Sequence, residues 1–507
     1  MIAPEEIGVT VASTGVSHAF GILGSGPSLR LATALDDAGV SFHTTTSEAA
    51  AAIMAGTVGR LAGTAGICTS IKGPGFANLL SGVSGCHLDE LPVVAFCEAH
   101  PSGAGIGSHK FLDQRALARP VTKAQGSVSG TERDVRRLLA CTTEEIPGPA
   151  LFELAPTGTN EFRASSDGFT GVSGAMRRVE NAKRPLVIVG ALASRRPWRT
   201  ELERLPLPIM TTAAAKGSLD ERLPQVAGVF TGVGGPLAPE STLVKDCDLI
   251  VGIGLRQREL LAGPSRPVAN FDEIAAPPLP SWDVETAPAS ALSALWPLLS
   301  GRGWGLDLVA QCLGTLSHHL GAMPQLLPQH VVAILAQSFD DIRLVVDTGS
   351  FCTIAEHEWR ATGPGRYLGS GIGRNMGIGL PMAIGVSLQT ASSTVLVTGD
   401  GGLPMYVGEL QTAAELRLPL MVLLMNDRGY GSVRRSAVEA RLPTAHLEFP
   451  GRSWVAAAEG MGFAATVVED EDKLYEAFRW WRQEGGPMFV EVRCDPDSYL
   501  TMTDGLR

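Results

Sequence analysis

Two apolar runs in the last third of the chain stop abruptly at small polar residues. From Thr394 to Gly431 the sequence reads TVLVTGDGGLPMYVGELQTAAELRLPLMVLLMNDRGYG, and Asp400 and Asn426, 26 positions apart, each stand just beyond a strand-like run. A carboxylate, a side-chain amide and turn carbonyls are hard oxygen ligands. Joined by the phosphate oxygens of a ligand, they suit Mg²⁺ better than any soft metal. Gly399, Gly401 and Gly402 let backbone N–H groups approach an anion closely. The chemistry this stretch can do is to hold a metal-bridged diphosphate.

That chemistry needs the two polar residues side by side, and the expected elements supply this. Thr394–Thr398 reads as a strand and Leu418–Met425 as the next. Between them, Met405–Arg417 carries Val407, Leu410 and Ala414 at helical spacing. Such a crossover joins parallel strands. Asp400 and Asn426 then lie together beyond the carboxyl ends, where open α/β sheets bind ligands.

The same alternation runs through nearly the whole chain. The first third predicts strands around Ala19–Leu23, Gly66–Ser70 and Val93–Cys97, with helices over Pro27–Asp37, Ser47–Leu61 and Phe76–Ser84. The small and polar stretch Ala155–Gly174 reads as a linker. A second series follows in RPLVIVG (184–190), LPIMTT (207–212) and CDLIVGIG (247–254). It ends in IAAPPLPSWDVETAP (274–288), a Pro-rich passage read as unable to continue a strand or helix. The third series starts near Gln329 and runs from IRLVVDTGS (342–350) to PMFVEVRCD (487–495). The first and third thirds look like two similar α/β units flanking a smaller one. The expected fold class is α/β, with three open, mainly parallel-sheet domains.

Composition agrees and narrows the partners. At 507 residues, 45% hydrophobic and 18% charged, the chain is too long for one core. The net charge of −11 is dispersed and no Lys/Arg stripe is present, which argues against a nucleic-acid partner. MIAPEEIGVTVASTGVSHAF has neither a basic start nor an uninterrupted apolar segment, so no signal peptide or membrane span is expected there. The eight cysteines form no CxxC pair and no cluster with histidine. Buried free thiols in a reducing cytoplasm are the expectation.

GDG followed by 24 residues and then Asn resembles the diphosphate-binding motif of thiamin-diphosphate (ThDP) enzymes. The resemblance implies that Asp400 and Asn426 bind Mg²⁺ through side chains and Arg428 through its backbone oxygen. Asp427 stands where many members carry a second Asn. GRNMGIGLPMAIGV (373–386) resembles the segment whose bulky apolar residue, here Met376, bends the cofactor. DTGS (347–350) resembles a diphosphate-contacting turn, with Gly349 and Ser350 as donors. In the first third, HTTTSEAAAAIMAGTVGRLAGTAGICTSIKGPGFANLL (43–80) resembles the pyrimidine-binding domain. Alone, Glu48 would be a favourable charge in a helix's first turn. With Gly73, Pro74, Gly75 and Asn78 at the family spacing, it matches the catalytic glutamate that activates the aminopyrimidine, Pro74 and Asn78 lying at the cofactor.

The resemblance covers most of the chain. It is to the superfamily of acetohydroxyacid synthases and 2-oxo acid decarboxylases such as pyruvate and benzoylformate decarboxylase. It implies a pyrimidine-binding domain over 1–160, a central domain over 175–310 and a diphosphate-binding domain over 325–507. AAAKGSL (213–219) fits the central domain. NFDEIAAPPLP stands where the flavin-binding branch carries a DIDP-like strand end, so FAD is not expected. Glu48 and the diphosphate site meet across subunits in this superfamily, which implies a homodimer and allows a homotetramer.

In such enzymes the cofactor ylid adds to a 2-oxo acid, CO₂ leaves, and an enamine remains. Protonation gives an aldehyde (a lyase); attack on a second carbonyl compound gives a carboligase. GILGSGPS (21–28) matches a substrate-facing loop on which Ser25 occupies the variable position, either hydrogen-bonding a carboxylate or simply shaping a turn. The adjacent His pair of pyruvate decarboxylases is missing, and Thr69 replaces a His of benzoylformate decarboxylase. HKFLDQRALARPVTK (109–123) resembles an active-site segment of acetohydroxyacid synthases, but has His109–Lys110 where Phe-Gln or His-Gln is usual. That departure points away from simple acetolactate synthesis. The expected activity is decarboxylation of a functionalised 2-oxo acid. Acetohydroxyacid-synthase-like carboligation is the runner-up, and a catalytically silent structural or regulatory relative is the rival of another class. If Lys110 faces the site, the substrate carries a second acidic group.

Overall fold

The computed structural model describes residues 1–105, 107–157, 160–162, 169, 171–274, 282–323, 326–449, 451 and 453–507. Three sheets organise them. The first contains β1 (His18–Gly21), β2 (Ser41–Thr44), β3 (Gly66–Ser70), β4 (Val93–Cys97), β5 (Ala124–Ser127), β6 (Ala150–Glu153) and β7 (Glu161–Phe162). Its order is β2-β1-β3-β4-β6-β5-β7, parallel except for the edge pair β5–β7. The central sheet contains β8 (Pro185–Val189), β9 (Ile209–Thr211), β10 (Val226–Val229), β11 (Leu249–Ile253), β12 (Val268–Asp272) and β13 (Val284–Pro288), in the order β10-β9-β8-β11-β12-β13. The last contains β14 (Arg343–Val346), β15 (Tyr367–Gly369), β16 (Thr394–Gly399), β17 (Leu420–Asn426), β18 (Ala464–Val468) and β19 (Met488–Arg493), in the order β15-β14-β16-β17-β19-β18.

Setting the short β7 aside, the first and last sheets share one connectivity, the second strand of each lying outside its first and the sixth inside its fifth. The likeness between the two thirds is therefore topological. Strands such as VVAFC, PLVIV, LIVGI and LMVLLMN are buried at every residue. Continuous apolar runs are what a parallel sheet covered on both faces requires.

The first and last sheets are bound through small-residue helices. Helix Glu48–Ala62 is buried at every position from Glu48 to Gly59 and packs against Pro74–Leu88 and Gly379–Thr390. A Cβ on Gly385 would lie 2.9 Å from the Met54 carbonyl, so glycine there sets how closely the helices meet. The central sheet is tied to the first by buried charge. Arg256 reaches Glu90 at 3.4 Å, Glu145 at 3.1 Å and Asp272 at 3.0 Å, and Arg195 reaches Glu90 at 3.0 Å and Glu145 at 2.8 Å.

Several expected boundaries move. β13 lies inside the Pro-rich passage 274–288: Val284–Pro288 pairs with β12 as an outer strand, where a terminal proline needs to donate nothing. Residues 275–281 of that passage lie outside the described residues. The stretch Ala155–Gly174 contains β7 and the start of helix Val172–Asn181, while its residues 158–159, 163–168 and 170 lie outside them. The helix expected over Met405–Arg417 is a 3₁₀ turn, Leu403–Met405, followed by Glu409–Glu415. All eight cysteines are free thiols, seven of them buried. Among the described residues no helix is long and apolar enough to cross a membrane.

Candidate active site

The crossover places its two turns as the sequence requires. β16 and β17 are parallel neighbours in a register pairing Gly399 with Met425, so GDGG and NDRGYG emerge together at the carboxyl edge. The side chains then differ from expectation. Side chains alternate along a strand, so Asn426 continues the face of Leu420, Val422 and Leu424, toward Glu491 of β19. Its Nδ2 donates to Glu491 Oε1 at 3.0 Å, and its Oδ1 accepts the Arg428 N–H at 3.2 Å. Asp427, one step past the strand, is the residue that meets Asp400. Both carboxyls are 3% exposed and close enough to interact, and Asp400 Oδ2 accepts the Gly429 N–H at 3.1 Å. Asp400 Oδ1 and Asp427 Oδ2 are buried with no hydrogen-bond partner, though Arg434 Nη2 stands 3.6 Å from Asp427 Oδ2 as a buried counter-charge. Burial pushes both carboxyls above the ordinary range, the Asp427 charge adding to the rise of Asp400 and the Arg434 charge opposing that of Asp427.

Arg428 is exposed with φ 60°, and its carbonyl already accepts the Phe449 N–H at 2.8 Å. The Gly429 carbonyl instead lies 3.8 Å from where a Cβ on Gly401 would be, beside the Asp400 turn. The pair thus opens into a cavity lined by Gly349, Ser350, Met376, Gly401, Gly402 and Gly429. Two helices begin there, Ser350–Glu358 and Gly431–Glu439, which turn their positive dipole ends toward the cavity. A Cβ at Gly401 would strike the Tyr430 ring at 2.8 Å, and one at Gly431 would strike Asp427 Oδ2 at 2.5 Å. A buried acid pair, with Asp400 Oδ1 left without a partner, beside glycine turns and two helix starts, fits a cation bridging a diphosphate.

Two carboxylates that motif reading passed over hold this cradle. Asp347, pushed up to about 6 by burial, accepts the Gly377 N–H at 2.9 Å and the Thr398 hydroxyl at 2.9 Å, fixing Met376 against the GDGG turn. Its position in DTGS, directly after a strand, was the available signal. Asp89 reaches across from the first unit to accept Ser370 Oγ at 2.7 Å and the Gly373 N–H at 2.9 Å. No local pattern marks it.

In the first unit, Glu48 opens its helix, capped by Ser47. Asn78 Nδ2 donates to Glu48 Oε2 at 3.2 Å, and a Cβ on Gly75 would lie 3.1 Å from Oε1. Pro74 starts the following helix. Lys110 packs on the same GPG turn, its carbonyl 2.6 Å from where a Cβ on Gly73 would sit. Its φ of 60° and that of Gly73, 67°, make this a close backbone crossing. His100 Nε2 donates to the His109 carbonyl at 2.8 Å, and both His109 and Lys110 are exposed in the single chain. Ser25 is exposed on the loop after β1, which buried Glu98 anchors by accepting Ser28 Oγ at 2.7 Å. Glu48, His109, Lys110 and Ser25 line no part of the cradle of this same chain.

Sequence models of thiamine pyrophosphate enzymes match the chain in order. The N-terminal binding domain matches residues 7–116, the central domain 172–275 and the C-terminal binding domain 347–492. The chain belongs to the ThDP-dependent superfamily of acetohydroxyacid synthases and 2-oxo acid decarboxylases. Acetolactate synthase of Bacillus subtilis is 26% identical over 95% of this chain and 91% of that protein. A probable 2-ketoarginine decarboxylase of Pseudomonas aeruginosa is 27% identical over 95% and 92%. The large subunit of acetolactate synthase isozyme 2 of Escherichia coli is 27% identical over 95% and 93%. In this superfamily the acid pair and its glycine turns belong to the C-terminal ThDP-binding domain, and Glu48 to the N-terminal one.

Proposed function

We propose that this ThDP enzyme decarboxylates a functionalised 2-oxo acid with Mg²⁺, releasing CO₂ and an aldehyde. The observation that carries the reading is the buried Asp400–Asp427 pair facing Gly401, Gly402 and two helix N-termini. Asp400 and Asp427, with the Gly429 carbonyl, would hold Mg²⁺. This replaces Asn426 and Arg428, whose polar groups are engaged elsewhere. Gly349, Ser350 and Gly402 would meet the diphosphate, and Met376 would support the cofactor's bend. When bound, ThDP supplies the electron sink that lets the 2-oxo acid lose CO₂.

The chain's own residues govern protons and access. Glu48, oriented by Asn78 and left clear by Gly75, would exchange a proton with the aminopyrimidine. Glu48 does not border the cradle of its own chain, which supports a homodimer, or a homotetramer built as a dimer of dimers, in which a second copy supplies it. His109, Lys110 and Ser25 would border the substrate on that second copy. FAD has no place in this reading, since Asp272, at the end of β12, is spent on Arg256. Eight free thiols suit a reducing cytoplasm.

Carboligation is the second reading, favoured by relatives named acetolactate synthase. The test is to supply ThDP, Mg²⁺ and a panel of 2-oxo acids, scoring CO₂, aldehydes and acyloin products. CO₂ with aldehyde supports the proposal, and CO₂ with a ligated product supports the alternative. Bound ThDP without CO₂ from any acid would mark a silent relative.

A further inference from the structure

A second cavity, of about 300 Å³, lies where the three units meet, and its charged lining is wholly cationic: Arg60, Arg195, Lys216 and Arg343. Arg60 comes from the last turn of helix Glu48–Ala62, Arg195 and Lys216 from the segments after β8 and β9, and Arg343 opens β14. Two of the four charges are already matched. Lys216 Nζ is 2.6 Å from Glu221 Oε2, and Arg195 is paired with Glu90 and Glu145.

Arg60 and Arg343 make no ion pair among the described residues. Arg60 reaches only the Ala214 carbonyl, at 3.4 Å. Arg343 donates from Nη1 to the Gly365 carbonyl at 2.7 Å, while its Nε is buried with no partner, as is Gln389 Oε1. Burial pushes both guanidiniums below their ordinary value; Arg195 adds to the effect on Arg60 while Glu90, Asp89 and Glu259 oppose it, and Arg366 adds to that on Arg343 while Asp341 opposes it. Gly365, at φ 70°, keeps the space open, since a Cβ there would sit 2.9 Å from Arg343 Nη1 and 3.1 Å from Leu61.

Two guanidiniums that line one cavity and are held by backbone carbonyls rather than by ion pairs keep N–H donors free, and guanidinium donors are suited to phosphate oxygens. We propose that this cavity is an anion site, separate from the diphosphate cradle, that binds a phosphate group between Arg60 and Arg343. Arg343 begins the strand whose far end leads to Gly349, so the two sites lie at opposite edges of the last sheet. Leu61, Tyr367 and Leu368 offer an apolar wall to any organic remainder.

The test is calorimetric titration of the full chain with inorganic phosphate and with glycerol 3-phosphate, in the absence and presence of saturating ThDP and Mg²⁺. The expected result is saturable binding of equal affinity in both conditions. Arg343→Gln should weaken it by about tenfold or more, as loss of a charge-assisted hydrogen bond implies. Stronger binding of glycerol 3-phosphate than of phosphate would assign the apolar wall to an organic phosphate, and equal binding would assign the site to the free ion. Arg343 is partly exposed, so this variant should fold, and its unfolding midpoint checks that it does; Arg60→Gln serves as the second variant. Absence of saturable binding, displacement by ThDP, or unchanged affinity in both variants would overturn the proposal.

Discussion

Glu48 holds its carboxyl over a glycine and against an amide, an arrangement that leaves one oxygen accessible without freeing the side chain to move. Glu48→Gln keeps the shape and removes proton exchange. Turnover should fall roughly 10²- to 10⁴-fold while ThDP still binds; exchange of the cofactor C2 proton in deuterated buffer checks this. Lys110 meets the turn just before Pro74, beside the same helix start. Lys110→Met should selectively lower kcat/KM for 2-oxo acids bearing a second acidic group, by roughly tenfold or more if a charge-assisted contact is lost. Equal effects on monoanionic and dianionic acids would place Lys110 outside the substrate site. At this scale residue types were legible and the partner of Asp400 was not. Spacing counts positions along the chain, whereas the pair is decided by which face of β17 each side chain takes. Asn426 follows Leu424 to Glu491, and Asp427 is the first residue free to turn.

Elements with a long apolar signal were the legible ones. β3, β4 and helix Pro27–Asp37 begin and end where pattern and turn residues place them. β13 and the late start of the helix Glu409–Glu415, expected from Met405, were not legible, because pairing with β12 and the docking of Glu409 on Thr46 decide them. Glu409 Oε1 accepts the Thr46 hydroxyl at 2.7 Å, a contact between distant parts of the chain that no local pattern encodes. The pair β1–β2 carries a pH dependence of its own. His18 Nδ1 lies 3.0 Å from His43 Nε2, and burial, then the neighbouring His18, lowers His43 from 6.5 to about 4, Asp36 opposing weakly. The folded state resists a proton that the unfolded chain accepts. This stability is therefore present above 6.5 and is lost as pH falls toward 4. His43→Gln should flatten that part of the thermal-unfolding profile, and an unchanged profile would assign the acid sensitivity to other groups.

The whole molecule is two like sheets joined by close helices, with a central sheet clamped on by Arg256. Replacing Arg256 by Met leaves Glu90, Glu145 and Asp272 short of a buried counter-charge, and should cost about 3–5 kcal/mol in denaturant unfolding. A loss confined to a few tenths would show that solvent or Arg195 takes over the pairing. Charge clamps of this kind join residues more than a hundred positions apart, so neither the clamp nor the cavity beside Arg60 is visible until the units are assembled. In the proposed homodimer each functional site would draw on two copies, since the cradle lies on the last sheet and the glutamate on the first. The most direct measurement of the central claim is ThDP binding by calorimetry, with and without Mg²⁺, in the wild type, Asp427→Ala and Asn426→Ala. The account predicts Mg²⁺-dependent binding that Asp427→Ala abolishes and Asn426→Ala largely retains. Retention by Asp427→Ala together with loss in Asn426→Ala would contradict it.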